Sequence, residues 1–209
     1  MIGDMKSFNQ LHIDILKEIG NIGVGNAIGA LSQLIGTKVK MTVPEVKFLE
    51  FKEVGSILGG DEVVVFGILV QITGDINGMM MFLVKPESAG TLVGGLMSSM
   101  GMQTDIVEEF TEIELSALQE IGNILCSSYL GSLSNFIQKS AKPSPPILAQ
   151  DMATAILSVP AIEFGKMADG VLFIDTVFET SDGKPASGFF LLVPDEESFS
   201  VILSSLGVV

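Results

Sequence analysis

The sequence predicts an α+β protein made of two pseudo-symmetric α-β-β-β-α halves. They are expected to share a mainly antiparallel sheet, with long helices packed on it. Three observations carry this prediction. The pentapeptide EIGNI stands at 18–22 and again at 120–124. Each copy lies inside a long helical pattern. Each helical pattern is followed by β-branched and aromatic runs separated by turn residues, the signature of hairpin-joined strands.

The repeat organises the chain. Residues 11–36 laid on 113–138 give 10 identities in 26 positions: Leu16/Leu118, the five of EIGNI, Gly29/Gly131, Leu31/Leu133, Ser32/Ser134 and Ile35/Ile137. Pro44 and Pro146 keep the same offset of 102 residues. Two copies of so long a period do not make a solenoid. The expected organisation is one domain, 1–209, of two repeats at about 1–104 and 105–209. The distal parts also correspond, GMMMFLVKPE (78–87) with GFFLLVPDE (188–196). Their larger offset places a longer loop at SDGKPASG (181–188).

The elements follow in order. Residues 9–36 read as a helix. VKFLEF (46–51) and EVVVFGILVQI (62–72) read as strands. Gly74-Asp75 and Asn77-Gly78 mark a turn, and 78–84 returns as a third strand. Pro86 opens a helix to Ser99. The second half opens with a helix over 108–139. SAKPSPPIL (140–148) then lies inside that half, and 150–160 is left open, with a short helix as its one named reading. Strands follow near 170–179 and 187–193, then a helix after Pro194.

Composition excludes several chemistries. There are 25 Asp plus Glu against 11 Lys plus Arg, for a formal charge of -14. Such a balance does not suit a phosphate-backbone binder. One His12 and one Cys126 build neither a metal cage nor a disulfide framework, and a reducing compartment is expected. They lie too far apart in sequence to suggest a Cys–His nucleophilic pair. The N-terminus lacks the basic and apolar regions of a signal peptide. No run approaches the ~18 apolar residues of a spanning helix. The expected class is a soluble, acidic, cytoplasmic globular protein.

The repeated helices carry the polar signal. At 100° per residue, Ser116, Glu120, Asn123 and Ser127 fall within about 60° of one another. Asp14, Glu18 and Asn21 occupy the same window on the first helix. Ile15, Ile19 and Ile22 flank that stripe on one edge, Ile13 and Leu16 on the other; in the second copy the flanks are Ala117, Ile121 and Ile124, then Leu115 and Leu118. Each helix therefore shows a narrow polar ridge. A solvated face would usually mix Lys with Glu, whereas these ridges repeat Glu and Asn without a basic residue. Asn is also a mediocre helix former. Gly20/Gly122 and Gly29/Gly131 weaken these helices, and close approach of another element is the expected return.

A carboxylate can act as a general base. A carboxamide donates and accepts hydrogen bonds at once, which suits orienting a water for in-line attack on a phosphoryl group. The metal and phosphoryl group would then come from elsewhere. Other motifs fail. GNIGVGNAIG (20–29) has the wrong spacing for a dinucleotide loop and follows no strand, and neither G-K-[ST] nor G-x-S-x-G occurs. His12 reads as a surface or capping residue, Cys126 as a packing residue. The methionines at 79–81 and 97–102 read as core, with an adaptable binding surface as the alternative.

Asp14-x3-Glu18-x2-Asn21-x22-Pro44 and Ser116-x3-Glu120-x2-Asn123-x22-Pro146 fit one pattern. This resembles the CheC/CheX/FliY family of response-regulator phosphatases over essentially the whole chain. Two complete copies are similar to its CheC-like branch. FliY-like members add a flagellar-switch domain, for which the sequence has no room after the second repeat. The resemblance implies a CheC-like fold and hydrolysis of the aspartyl phosphate of CheY. It assigns catalytic roles to Glu18, Asn21, Glu120 and Asn123, with Asn orienting the water and Glu pairing with the receiver's lysine. Asp14, Pro44, Ser116 and Pro146 would support the motif. It implies no cofactor of the protein's own, Mg²⁺ being expected on the receiver partner. Phosphorylated CheY is the implied partner, and CheD a second. The alternative is a non-catalytic binding or regulatory module of the chemotaxis or flagellar switch machinery, CheD-binding or FliM-like.

Overall fold

Two short runs, MMMFLV at 79–84 and FFLLV at 189–193, are apolar at every position. That is the pattern of a strand with both faces buried. In the computed structural model, which describes residues 10–35, 38–102, 109–164, 171–179 and 185–205, they lie side by side at the centre of the sheet. The elements run α1 (Gln10–Ile35), β1 (Lys40–Leu49), α2 (Phe51–Ile57), β2 (Val64–Gly74), β3 (Gly78–Val84) and α3 (Pro86–Ser99) in the first half. The second half runs α4 (Glu112–Ile137), β4 (Ala141–Pro143), β5 (Ile147–Met152), α5 (Ala153–Phe164), β6 (Val171–Glu179), β7 (Pro185–Pro194) and α6 (Glu196–Ser205).

Among the described residues every strand pairing is antiparallel. The order is β1-β6-β7-β3-β2, with β4 and β5 sharing the far edge of β2. At the centre Phe82 stands opposite Phe190 and Met80 opposite Leu192. The two halves are interleaved. β1 pairs with β6, Lys40 opposite Glu179, while β5 pairs with β2, Val64 opposite Met152. Each half thus lends an outer strand to the strands of the other.

Because side chains alternate along a strand, the central strands feed two cores. Phe66, Ile68, Met80, Phe82, Phe190 and Leu192 meet Leu16 and Ile19 of α1, Leu92 of α3, and Leu118, Ile121 and Leu125 of α4. Val65, Met81, Leu83, Phe173 and Leu191 face the other way, onto Val54 of α2, Leu58 at its C-terminal cap, and Ile156 and Leu157 of α5. The short helices α2 and α5 extend the expected order to α-β-α-β-β-α. Phe51, expected in a strand, begins α2, where Glu50 and Glu53 form a reciprocal cap and the Glu50 N–H donates to Glu53 at 2.7 Å. The open stretch 150–160 divides into the end of β5 and most of α5.

The expected turn after β2 is present. Gly74 takes φ +134°, and the Gly74 N–H donates to the Asn77 side chain at 3.3 Å. The longer loop expected at 181–188 lies mostly outside the described residues, with β7 starting at Pro185. Met79, Met80, Met81 and Met97 are core, whereas Met100 and Met102 are exposed.

The helix glycines divide. A Cβ on Gly122 would stand 2.8 Å from Cβ of the buried Ile68, so α4 lies on β2 as closely as glycine allows. At Gly20 the neighbours are at ordinary contact distance, and at Gly29 and Gly131 nothing lies within 4 Å. Close approach is therefore not the reason for those last two. The two long helices approach closely at Gly23, where a Cβ would come within 3.0 Å of Tyr129 Cα. Gly122→Ala is expected to destabilise the protein by about 1–3 kcal/mol through overpacking. Gly29→Ala is expected to stabilise it by about 0.5–1 kcal/mol through helix propensity. Urea unfolding of the two variants checks both; equal effects would contradict the contact geometry.

Candidate active site

α4 is set firmly at its start. Thr111 caps it: its hydroxyl accepts from the Glu114 N–H at 3.3 Å and donates to the Glu114 carboxylate at 2.9 Å, which also accepts from the Thr111 N–H at 2.8 Å. The buried Leu118, Ile121, Gly122 and Leu125 then hold one face of the helix against the sheet. The opposite face shows Ser116 and Glu120 exposed and Asn123 and Ser127 half-buried. Asn123 Nδ2 lies 3.4 Å from Glu120 Oε2, donating to it along one helix turn. The Ser116 hydroxyl turns back to donate to the Glu112 carbonyl at 2.8 Å. It acts on the helix rather than outward.

On α1, Asp14, Glu18 and Asn21 are all exposed, above the buried Leu16 and Ile19. This ridge is broader than expected, because Ile22, read as a buried flank, is 49% exposed, while its counterpart Ile124 is half-buried. Among the described residues no hydrogen bond joins Asn21 to Glu18. Pro44 lies within β1, and its side chain, like that of His12, lies outside the described residues. Pro146 is half-buried just before β5.

The structure keeps each Glu–Asn pair on its own helix but brings the two helices together. Asn26 Nδ2 donates to Ser132 Oγ at 3.1 Å across the α1–α4 contact, next to Gly23. A third residue, absent from the motif, touches the site. Gln119 Nε2 donates to the Pro146 carbonyl at 2.6 Å. Nothing in a single sequence marked it, since glutamine before a helix glutamate is ordinary.

Chemically, each ridge offers an outward carboxylate one turn from an amide that both donates and accepts. The other reactive groups are turned inward. Burial pushes the Cys126 thiol up to about 12 and raises the Tyr129 phenol in the same direction. Neither supplies an anionic nucleophile at neutral pH. Among the described residues, no three His, Cys, Asp or Glu side chains gather into a metal-ligand group, and no helix is long and apolar enough to cross a membrane.

The CheC-like family matches residues 11–48 and 113–149, the segments that hold both ridges and both motif prolines. The chain is 32% identical over 207 residues to the CheY-P phosphatase CheC of Bacillus subtilis (strain 168), covering 97% of this chain and 99% of that protein. FliY of Thermotoga maritima has the same fold, with a TM-score of 0.74 at 21% identity and 96% of each chain covered. The FliM middle domain of H. pylori shares the fold at a TM-score of 0.64 and 14% identity, covering 95% of this chain and 99% of that domain.

The inward thiol generates a pH prediction. The folded state keeps the Cys126 proton to about pH 12, whereas an unfolded thiol loses it near pH ~8.5. Its contribution is therefore fully present below pH ~8.5 and is lost above it, at about 1.4 kcal/mol per pH unit. Urea midpoints are expected to fall between pH 8.5 and 10.5, and iodoacetamide is expected to label Cys126 only in denaturant. A flat midpoint profile with fast native labelling would contradict the burial.

Proposed function

The chain belongs to the CheC-like family, and on that premise we propose that it is a phosphatase acting on the aspartyl phosphate of the response regulator CheY. One observation carries this reading. The same outward Glu–Asn pair stands on α1 and on α4, in a chain aligned over nearly its full length with a protein named CheY-P phosphatase.

The proposed chemistry divides between two proteins. Glu18 or Glu120 pairs with the active-site lysine of the receiver and fixes the angle at which the helix docks. Asn21 or Asn123, about 4.5 Å further along the helix axis, then enters the receiver's site. Its carbonyl accepts from a water while its amide hydrogens donate to the phosphoryl oxygens or the water. The water oxygen adds to phosphorus, the bond from phosphorus to the aspartyl oxygen breaks, and the aspartate leaves as carboxylate. The water's proton ends on inorganic phosphate. Orientation of the nucleophile is the main contribution. Mg²⁺ belongs to the receiver in this scheme, and the protein has no cofactor of its own. Asp14, Ser116, Pro44 and Pro146 shape the ridges without touching the reacting atoms.

The same reading makes the chain one cytoplasmic domain of two repeats, each carrying one site. It includes CheD as a second partner, for which a binding titration with purified CheD is the test. The Asn21→Ala, Asn123→Ala double variant is expected to return the decay of phosphorylated CheY to its intrinsic rate. Each single variant is expected to keep part of the activity. Circular dichroism is expected to be unchanged, because neither amide is buried. A double variant that still shortens the lifetime of phosphorylated CheY would refute the assignment. A wild-type protein that binds CheD or a switch component without any turnover would leave a binding role instead.

A further inference from the structure

The two ridges share a pattern but differ in setting. On α4 the residue before the glutamate is Gln119, and on α1 it is Lys17. Gln119 is half-buried. At 100° per residue it projects about 40° from Asn123 and about 60° from Ser116, so it borders the ridge on the amide's side. Its Nε2 donates to the Pro146 carbonyl at 2.6 Å, short for an N–H···O bond. The same segment is also held by β2. The Ser144 N–H donates to the Gln71 carbonyl at 2.8 Å, and the Gln71 N–H donates to Ser144 Oγ at 3.0 Å. Residues 144–146 are thereby tied to both a strand and the motif helix, and the fixed φ of Pro145 and Pro146 stiffens them.

We propose that Gln119 is a positioning residue of the α4 site, holding the Pro146 segment as a rigid wall beside Asn123. The inference rests on the phosphatase reading and deepens it. A wall on the amide's flank limits the rotamers of Asn123. Two observations agree with this. Asn123 is half-buried where Asn21 is exposed, and Asn123 is hydrogen-bonded to Glu120. An amide ordered before encounter loses less entropy when the receiver arrives. The α4 site is therefore preorganised.

The test uses the full chain carrying Asn21→Ala, so that only the α4 site turns over phosphorylated CheY. Adding Gln119→Leu is expected to lower kcat about tenfold, with KM changed less than about twofold, because positioning is lost and docking is kept. Gln119→Lys, which keeps a donor of similar reach, is expected to restore kcat to within about threefold of the parent. If the Leu variant melts early, Gln119→Glu, which keeps the shape but removes the Nε2 donor, carries the same test. Unchanged kcat in both donor-less variants, a rise in KM alone, or failure of lysine to rescue would each overturn the proposal. Adding Asn123→Ala to the same background is the control for the underlying reading. If that change leaves turnover intact, the phosphatase assignment itself has failed, and the result is distinguishable from the failure of Gln119 alone.

Discussion

The ladder between β3 and β7 is the contact on which the rest of the molecule depends. It joins the halves through side chains buried on both faces, Phe82 against Phe190 on one and Met81 against Leu191 on the other. A strand pair covered on both sides needs two layers of helix, and the chain supplies long helices for one face and short ones for the other. The long helices then have one face committed to the core, and Gly122 brings α4 down onto Ile68 with no room for a methyl group. Their opposite faces are held in place as a result. The Glu–Asn pairs inherit their fixed spacing from this packing and from the helix repeat, rather than from any bond between the two sites.

Much of this arrangement was legible where a residue pattern has one physical cause. The long helices were visible because apolar positions recur at helical spacing around a polar stripe, and Pro86 marked the start of α3 because its ring suits the first helical turn. Gly74 and Gly78 announced the hairpin. What stayed hidden is equally explicable. α2 is seven residues long, too short for a periodic signal. β5 is an edge strand with every residue exposed or half-exposed, so it shows no alternation of buried and exposed positions. The helix glycines look alike in sequence, yet only the partner across the gap separates Gly23 and Gly122 from Gly29 and Gly131. Within the candidate site, the paired Glu and Asn were visible through repetition. Gln119 was not, because its partner is a backbone carbonyl 27 residues away, and a carbonyl has no residue identity to read.

The composition also reads differently beside the structure. Burial keeps Cys126 and Tyr129 protonated inside the core, so the outward chemistry of the two ridges is carried by carboxylates, amides and hydroxyls. On the proposed reading, such a surface makes no bond to phosphorus and binds no phosphate by charge. It is suited to completing a site on another protein, where charge, metal and phosphoryl group are already assembled. With a net charge of -14, the chain also favours partners that present a cation at the point of contact.

The interleaved edges set an order of events during synthesis. β1 emerges early, yet its ladder partner is β6, with Lys40 opposite Glu179. It waits unpaired while more than half of the remaining chain is made. β2 likewise receives β5 only after α4 has been completed. Pairings of such long sequence separation are slow to form, because loop closure precedes the contacts that reward it. The first half of the nascent chain therefore leaves the ribosome with strand edges still open. The exposed Lys40, Glu45 and Lys47 along β1 place charge on one of those edges, which discourages pairing with a neighbouring copy before β6 arrives.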